Sequence, residues 1–149
     1  MKKSLALTGV VACVVLLGSD SPKGYDDKVE YADGLQGSWK AVSMESSESP
    51  VPLPLSVFED TVVTFNKGHL VKLVGSNEYR WTYKADPSKR PAHLDQYHSD
   101  ERGRVWKEIY RVEGDTLKIA YVSTGGWDGR PTSFSDKNNF IVTYKRVKR

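Results

Sequence analysis

The chain has one cysteine, Cys13, in 149 residues. An internal disulfide is therefore excluded, and if a leader is removed near Gly18 or Ser19 no thiol remains, so the folded part relies on its core alone. Charge of one sign is also lacking. Lys and Arg total 22 against 19 Asp and Glu, a net +3, and loss of Lys2 and Lys3 with a leader would leave +1. That is far from a nucleic-acid polyelectrolyte. No apolar run reaches the roughly twenty residues of a membrane-spanning helix; the longest, Ser4 to Gly18, is about fifteen. There is no internal repeat and no convincing amphipathic helix longer than two turns. Ser38, in Gly37-Ser38-Trp39, lacks the Gly-x-Ser-x-Gly elbow and a supporting histidine and carboxylate, which argues against a hydrolase. Hydrophobic residues are only 38%, but Trp, Tyr and Phe reach 11%. Aromatic rings bury much surface per residue, so one compact domain is within reach.

Two lysines followed by the run Ser4 to Gly18 and the polar stretch Ser19 to Asp27 read as a secretory signal over residues 1–18. Export to the periplasm, cell envelope or medium is the expected localisation. Cys13 follows Val10-Val11-Ala12, which resembles a bacterial lipobox and makes it a candidate lipidation site. Val14 to Leu17 stay apolar where a lipobox would turn polar, which favours a thiol inside a hydrophobic segment. Membrane attachment is expected only through the leader or such an anchor. Residues 19–34 mix Ser, Asp, Gly, Lys and Tyr without periodicity and read as a flexible tether.

From Gln36 onward the pattern is period two, in short runs bounded by Gly, Pro, Asn or Asp. Glu78 to Lys84 is the cleanest, with Tyr79, Trp81 and Tyr83 on one face and Glu78, Arg80, Thr82 and Lys84 on the other. Thr61 to Phe65 and His69 to Val74 flank Asn66-Lys67-Gly68, a hairpin turn composition. Val105 to Val112 and Thr116 to Val122 flank Glu113-Gly114-Asp115, a second one. In the last run Phe140, Val142, Tyr144 and Arg146 share a side. About eight strands predict an all-β, antiparallel up-and-down barrel over residues 35–149. The segment Ser46 to Glu59, with Pro50, Pro52 and Pro54, is a long connection of the kind that caps or binds something. Gly37 and Trp39 at the first strand and Arg146 at the last predict closure of the barrel floor, with the cation on the indole face.

Four blocks carry a resemblance: Leu35 to Lys40, Ala85 to Pro91, Ile109 to Ile119 and Gly129 to Phe134. Together they resemble an uncharacterised small-domain family abundant in planctomycete bacteria, over about Leu35 to Lys148. Its members are similar to lipocalins in the opening Gly-x-Trp and the closing basic residue. The resemblance implies a calycin-like barrel and brings no established ligand or activity. Glu108 departs from the family, which has a small residue before the Ile-Tyr pair, and that leaves the local strand geometry open.

Candidate chemistry is sparse. His93, Asp95, His98 and Asp100 are metal-ligand types, but in a strand His93 and His98 point to opposite faces. The segment reads as a solvated strand-to-loop stretch, and neither a metal nor a cofactor is expected. His69 reads as a surface or packing residue. Glu108 shares a face with Trp106, Tyr110 and Val112, and a carboxylate among aromatics is costly unless paired. The expectation is a bulge or a place at the rim, with the bulge letting it meet Arg80, Arg111 or Lys107, and a ligand handle is the alternative. The basic end Tyr144 to Arg149 reads as a solvated strand, and nucleic acid is not an expected partner.

Two functions fit. One is a binding module that takes a small apolar or amphipathic molecule in the barrel mouth, lined by Tyr79, Trp81, Tyr83, Trp106, Tyr110 and Tyr121, with Ser46 to Glu59 as lid. The other is a filled barrel serving as a structural or interaction domain of the cell envelope, touching a protein or glycan through loops such as Gly125 to Gly129 with Trp127.

Overall fold

A computed structural model of the chain describes residues 34–49, 51–54, 56, 58–98, 103–124 and 129–148. The leader, Cys13, most of the tether, Asp100 and Trp127 lie outside the described residues. Eight strands follow one another: β1 (Gly37–Ser46), β2 (Thr61–Asn66), β3 (His69–Val74), β4 (Asn77–Asp86), β5 (Ala92–Tyr97), β6 (Val105–Glu113), β7 (Thr116–Val122) and β8 (Asn139–Arg146). Each pairs antiparallel with the next, and β8 returns to β1, so the sheet is a closed up-and-down barrel. There is no α-helix among the described residues.

Turn chemistry sets the meander. Lys67 and Gly68 both have positive φ, 45° and 82°, and Asn66 pairs with His69, which makes a two-residue hairpin whose twist suits its strands. Directly opposed residues share a face. Leu70 opposite Trp81 and Lys72 opposite Tyr79 therefore carry the inward side of β4 onto β3.

One bulge interrupts the ladder between β1 and β8. Ala41 opposes Tyr144 and Ser43 opposes Thr143, leaving Val42 as the extra residue. The inward side consequently shifts from Trp39 and Ala41 to Met44. β6 is regular along its pairing with β5. The bulge expected at Glu108 is therefore absent, because the cost of the inward carboxylate is met by polar neighbours inside the barrel. β5 is also a full strand, where the sequence pattern suggested a solvated strand-to-loop segment; Leu94 and Gln96 point inward and are buried.

The barrel is packed solid toward the end where β1 begins and β8 ends. Leu35, Trp39, Phe65, Leu70, Leu94 and Leu117 are almost fully buried there, and Phe65 meets Tyr83 edge to face at 5.0 Å. The opposite end, the mouth, is bordered by the 47–60 connection, the β3–β4 hairpin and the segments after β5 and β7. The connection after β7 doubles back over the outside of the barrel as a strap. Asp136 Oδ2 accepts from the Thr132 and Ser133 amides, shaping the turn. Arg130 then reaches the Leu94 and Glu108 carbonyls and pairs with Asp95. Phe134 lies under the Arg111 guanidinium at 5.4 Å. Ile109 and Ala120, opposed across β6 and β7 on the outward side, are fully buried.

Candidate functional site

The floor is built around one indole. Trp39 Nε1 donates to the Leu35 carbonyl at 2.9 Å, and the Arg146 guanidinium lies 4.0 Å from the ring centre. The same guanidinium donates to the Gln36 and Gly34 carbonyls, each at 2.8 Å, and faces Asp115 at 3.5 Å. Gly37 has φ +110°, and a Cβ there would sit 3.2 Å from an Arg146 nitrogen. Glycine is thus required by its backbone and by the cation beside it.

Above this packed base the barrel is hollow. A cavity of about 390 Å³ opens in the mouth half, with walls from every strand and from Phe58 of the 47–60 connection. Its size is at the lower end of small-molecule sites. Aromatic rings form a belt around it. Tyr79 stacks on Trp81 at 5.8 Å, Trp81 on His98 at 4.0 Å and His98 on Trp106 at 5.3 Å; Tyr121 meets Trp106 and then Phe140, each at 5.8 Å.

Polar side chains share the wall with the rings. Gln96 Nε2 donates to Glu108 Oε2 at 2.5 Å, and Lys72 and Glu108 line the same cavity. Burial pushes the Glu108 carboxyl up to about 7, against the opposing pull of the Gln96 hydrogen bond, Lys72 and Arg130. Burial lowers the Lys72 ammonium from its ordinary value, and Glu108 opposes that. Burial and then the Glu108 charge push Tyr121 up to about 12, and the same two causes lead in raising Tyr144, so both phenols stay protonated. The arrangement offers an apolar, ring-lined space with a donor and a titrating carboxyl on its wall. Binding is what this set of groups can do.

Tyr79, Trp81, Trp106 and Tyr121 stand on the cavity wall, with Tyr79 half out at the rim. Tyr83 and Tyr110 do not. Tyr83 packs at the floor and its hydroxyl accepts from Gln36 Nε2 at 2.7 Å. Tyr110 borders a second, more open cavity of about 630 Å³ at the floor end, lined also by Pro87, Arg90, Arg111 and Phe134. Glu108 meets neither Arg80 nor Arg111, which pair with Glu78 and Glu113 on the outer face. His98 points inward, Asp95 pairs with Arg130 outside, and no group of three potential metal ligands forms among the described residues.

Lys72, Gln96 and His98 escape a reading of single strands. β3 is apolar on both faces, so its pattern does not say which side is inward; pairing Lys72 with Tyr79 does. Fold and site together define an eight-stranded up-and-down barrel with a half-filled interior and a few polar groups on the cavity wall. Compared with protein-family models, with characterised proteins and with solved structures, the chain gives no match.

Proposed function

We propose that the chain is an exported, calycin-like binding module that takes a small apolar or amphipathic molecule in the mouth half of its barrel. The observation that carries this reading is the 390 Å³ cavity, walled by aromatic rings and closed below by packed side chains. A merely structural barrel of this strand number can be filled throughout by its own side chains. Export rests on the leader-like run of residues 4–18 after Lys2 and Lys3. The test is native mass spectrometry of the protein purified from its own cell envelope without denaturant. A reproducible extra mass that is lost on unfolding is expected; a bare chain mass in every preparation, with no small molecule able to bind, would reject the reading. A second reading, contact with a protein or glycan, is favoured by the outer cavity beside Arg90, Arg111 and Phe134.

A further inference from the structure

The cavity wall is mostly apolar or aromatic, with Lys72, Gln96 and Glu108 among its few polar side chains and the Lys72 and Glu108 charges acting on each other. One carboxyl oxygen of Glu108 is held by Gln96. The Lys72 ammonium makes neither a hydrogen bond nor an ion pair among the described residues. Lys72 is half-buried on the cavity wall, and an ammonium carries three donors that a ligand can engage. An anion entering from the mouth can take those donors in place of water. Lys72 is the one ammonium among the lining residues, so a single carboxylate matches it in charge. The aromatic rings around these groups favour an anion that carries an apolar body.

We propose, resting on the binding reading above, that the barrel takes a small monocarboxylic acid, its carboxylate on Lys72 with Glu108 alongside and its apolar body against Trp81, Trp106 and Tyr121. Glu108 takes part as a protonated donor. Lys72 from β3, Gln96 from β5, Tyr121 from β7 and Tyr144 from β8 surround it, His98 lines the same space, and Asp95 and Arg130 act on it from outside. With its carboxyl pushed up to about 7 by burial, it is increasingly neutral on the acid side of that value and ceases to repel a bound carboxylate.

The test compares octanoate, octanol and octylamine by calorimetry on the full chain. Octanoate should bind at least about tenfold more tightly than octanol, as expected for hydrogen bonds to a charged group. Lys72→Met should bring octanoate to the level of octanol and leave octanol unchanged. That variant keeps the apolar stem on the wall and removes only the charged head, so its melting temperature should be kept or raised; Lys72→Gln is the second variant if it is not. Octanoate affinity should rise as the pH falls from about 8 to about 6, and Glu108→Gln should remove that slope. Equal affinity for acid and alcohol, or a preference for the amine, overturns the carboxylate assignment while leaving the binding barrel in place. Failure of all three to bind overturns the carboxylate assignment, and the native mass of the purified protein then decides the binding barrel separately.

Discussion

Arg146 joins three parts of the floor with one guanidinium: the Trp39 ring, two carbonyls of the segment before β1, and Asp115 in the β6–β7 turn. Arg146→Ala removes the stack and leaves the Gly34 and Gln36 carbonyls without this donor. A loss of about 2 to 3 kcal/mol in urea unfolding is expected, and unchanged stability would refute the closure. This contact was legible in the sequence, because Arg146 falls in phase with Phe140, Val142 and Tyr144. Glu108 was legible only as an anomaly, since its partners Lys72 and Gln96 come from strands that are far away in the chain. It has a measurable signature. Below about pH 4.5 the carboxyl is protonated in folded and unfolded chains alike; as the pH rises through about 7 the unfolded chain ionises it freely while the barrel resists. Stability should therefore fall across that window by up to about 3 kcal/mol and stay low above it. Glu108→Gln should abolish this dependence in unfolding curves at about pH 5 and about pH 8, and an equal slope in both proteins would show that Glu108 is not the group responsible.

At the scale of elements, the strap after β7 is held by Arg130 more than by regular structure. Its guanidinium binds a carbonyl from each of β5 and β6 and the Asp95 carboxylate. Arg130→Met should cost about 1 to 3 kcal/mol and speed hydrogen exchange at the Thr132 and Ser133 amides, whose turn stands on Asp136. Slow exchange in the variant would mean that the turn holds itself. The Ile109 to Ile119 and Gly129 to Phe134 blocks stood apart in the sequence as two motifs, and the fold brings them together where Phe134 meets Arg111, while Arg130 meets the carbonyl of Glu108, just before the first block. Hairpins were easy to read because Lys67-Gly68 and Gly114-Asp115 announce themselves locally. β5 was harder. Ala92 to Tyr97 is rich in polar residues, and its place in the wall is decided by pairing with Trp106 and Glu108 rather than by its own composition.

The whole molecule divides into a solid half and a hollow half, and substitutions should sort accordingly. Leu117 is fully buried in the solid half; Leu117→Ala should cost about 2 to 5 kcal/mol. Trp81 borders the cavity, so Trp81→Ala should cost clearly less while weakening ligand binding, as read by melting and calorimetry on both variants. The reverse order would mean that the mouth half is packed and the floor is not. Strand number and up-and-down order were visible from period-two runs and turn residues. The division into halves was not, because the same aromatic alternation serves a filled wall at Tyr83 and an open one at Trp81.

The seam that closes the sheet joins residue 39 to residue 146. A ribosome makes these two positions at opposite ends of the domain's synthesis. Until β8 emerges, the earlier strands amount to a curled ribbon with β1 and β7 as bare edges, the form of sheet most open to pairing with a neighbouring chain. The cavity has no complete wall before that moment. Any molecule it holds is therefore acquired after translation of the last strand, and any factor that guards the nascent chain has to cover those two edges first.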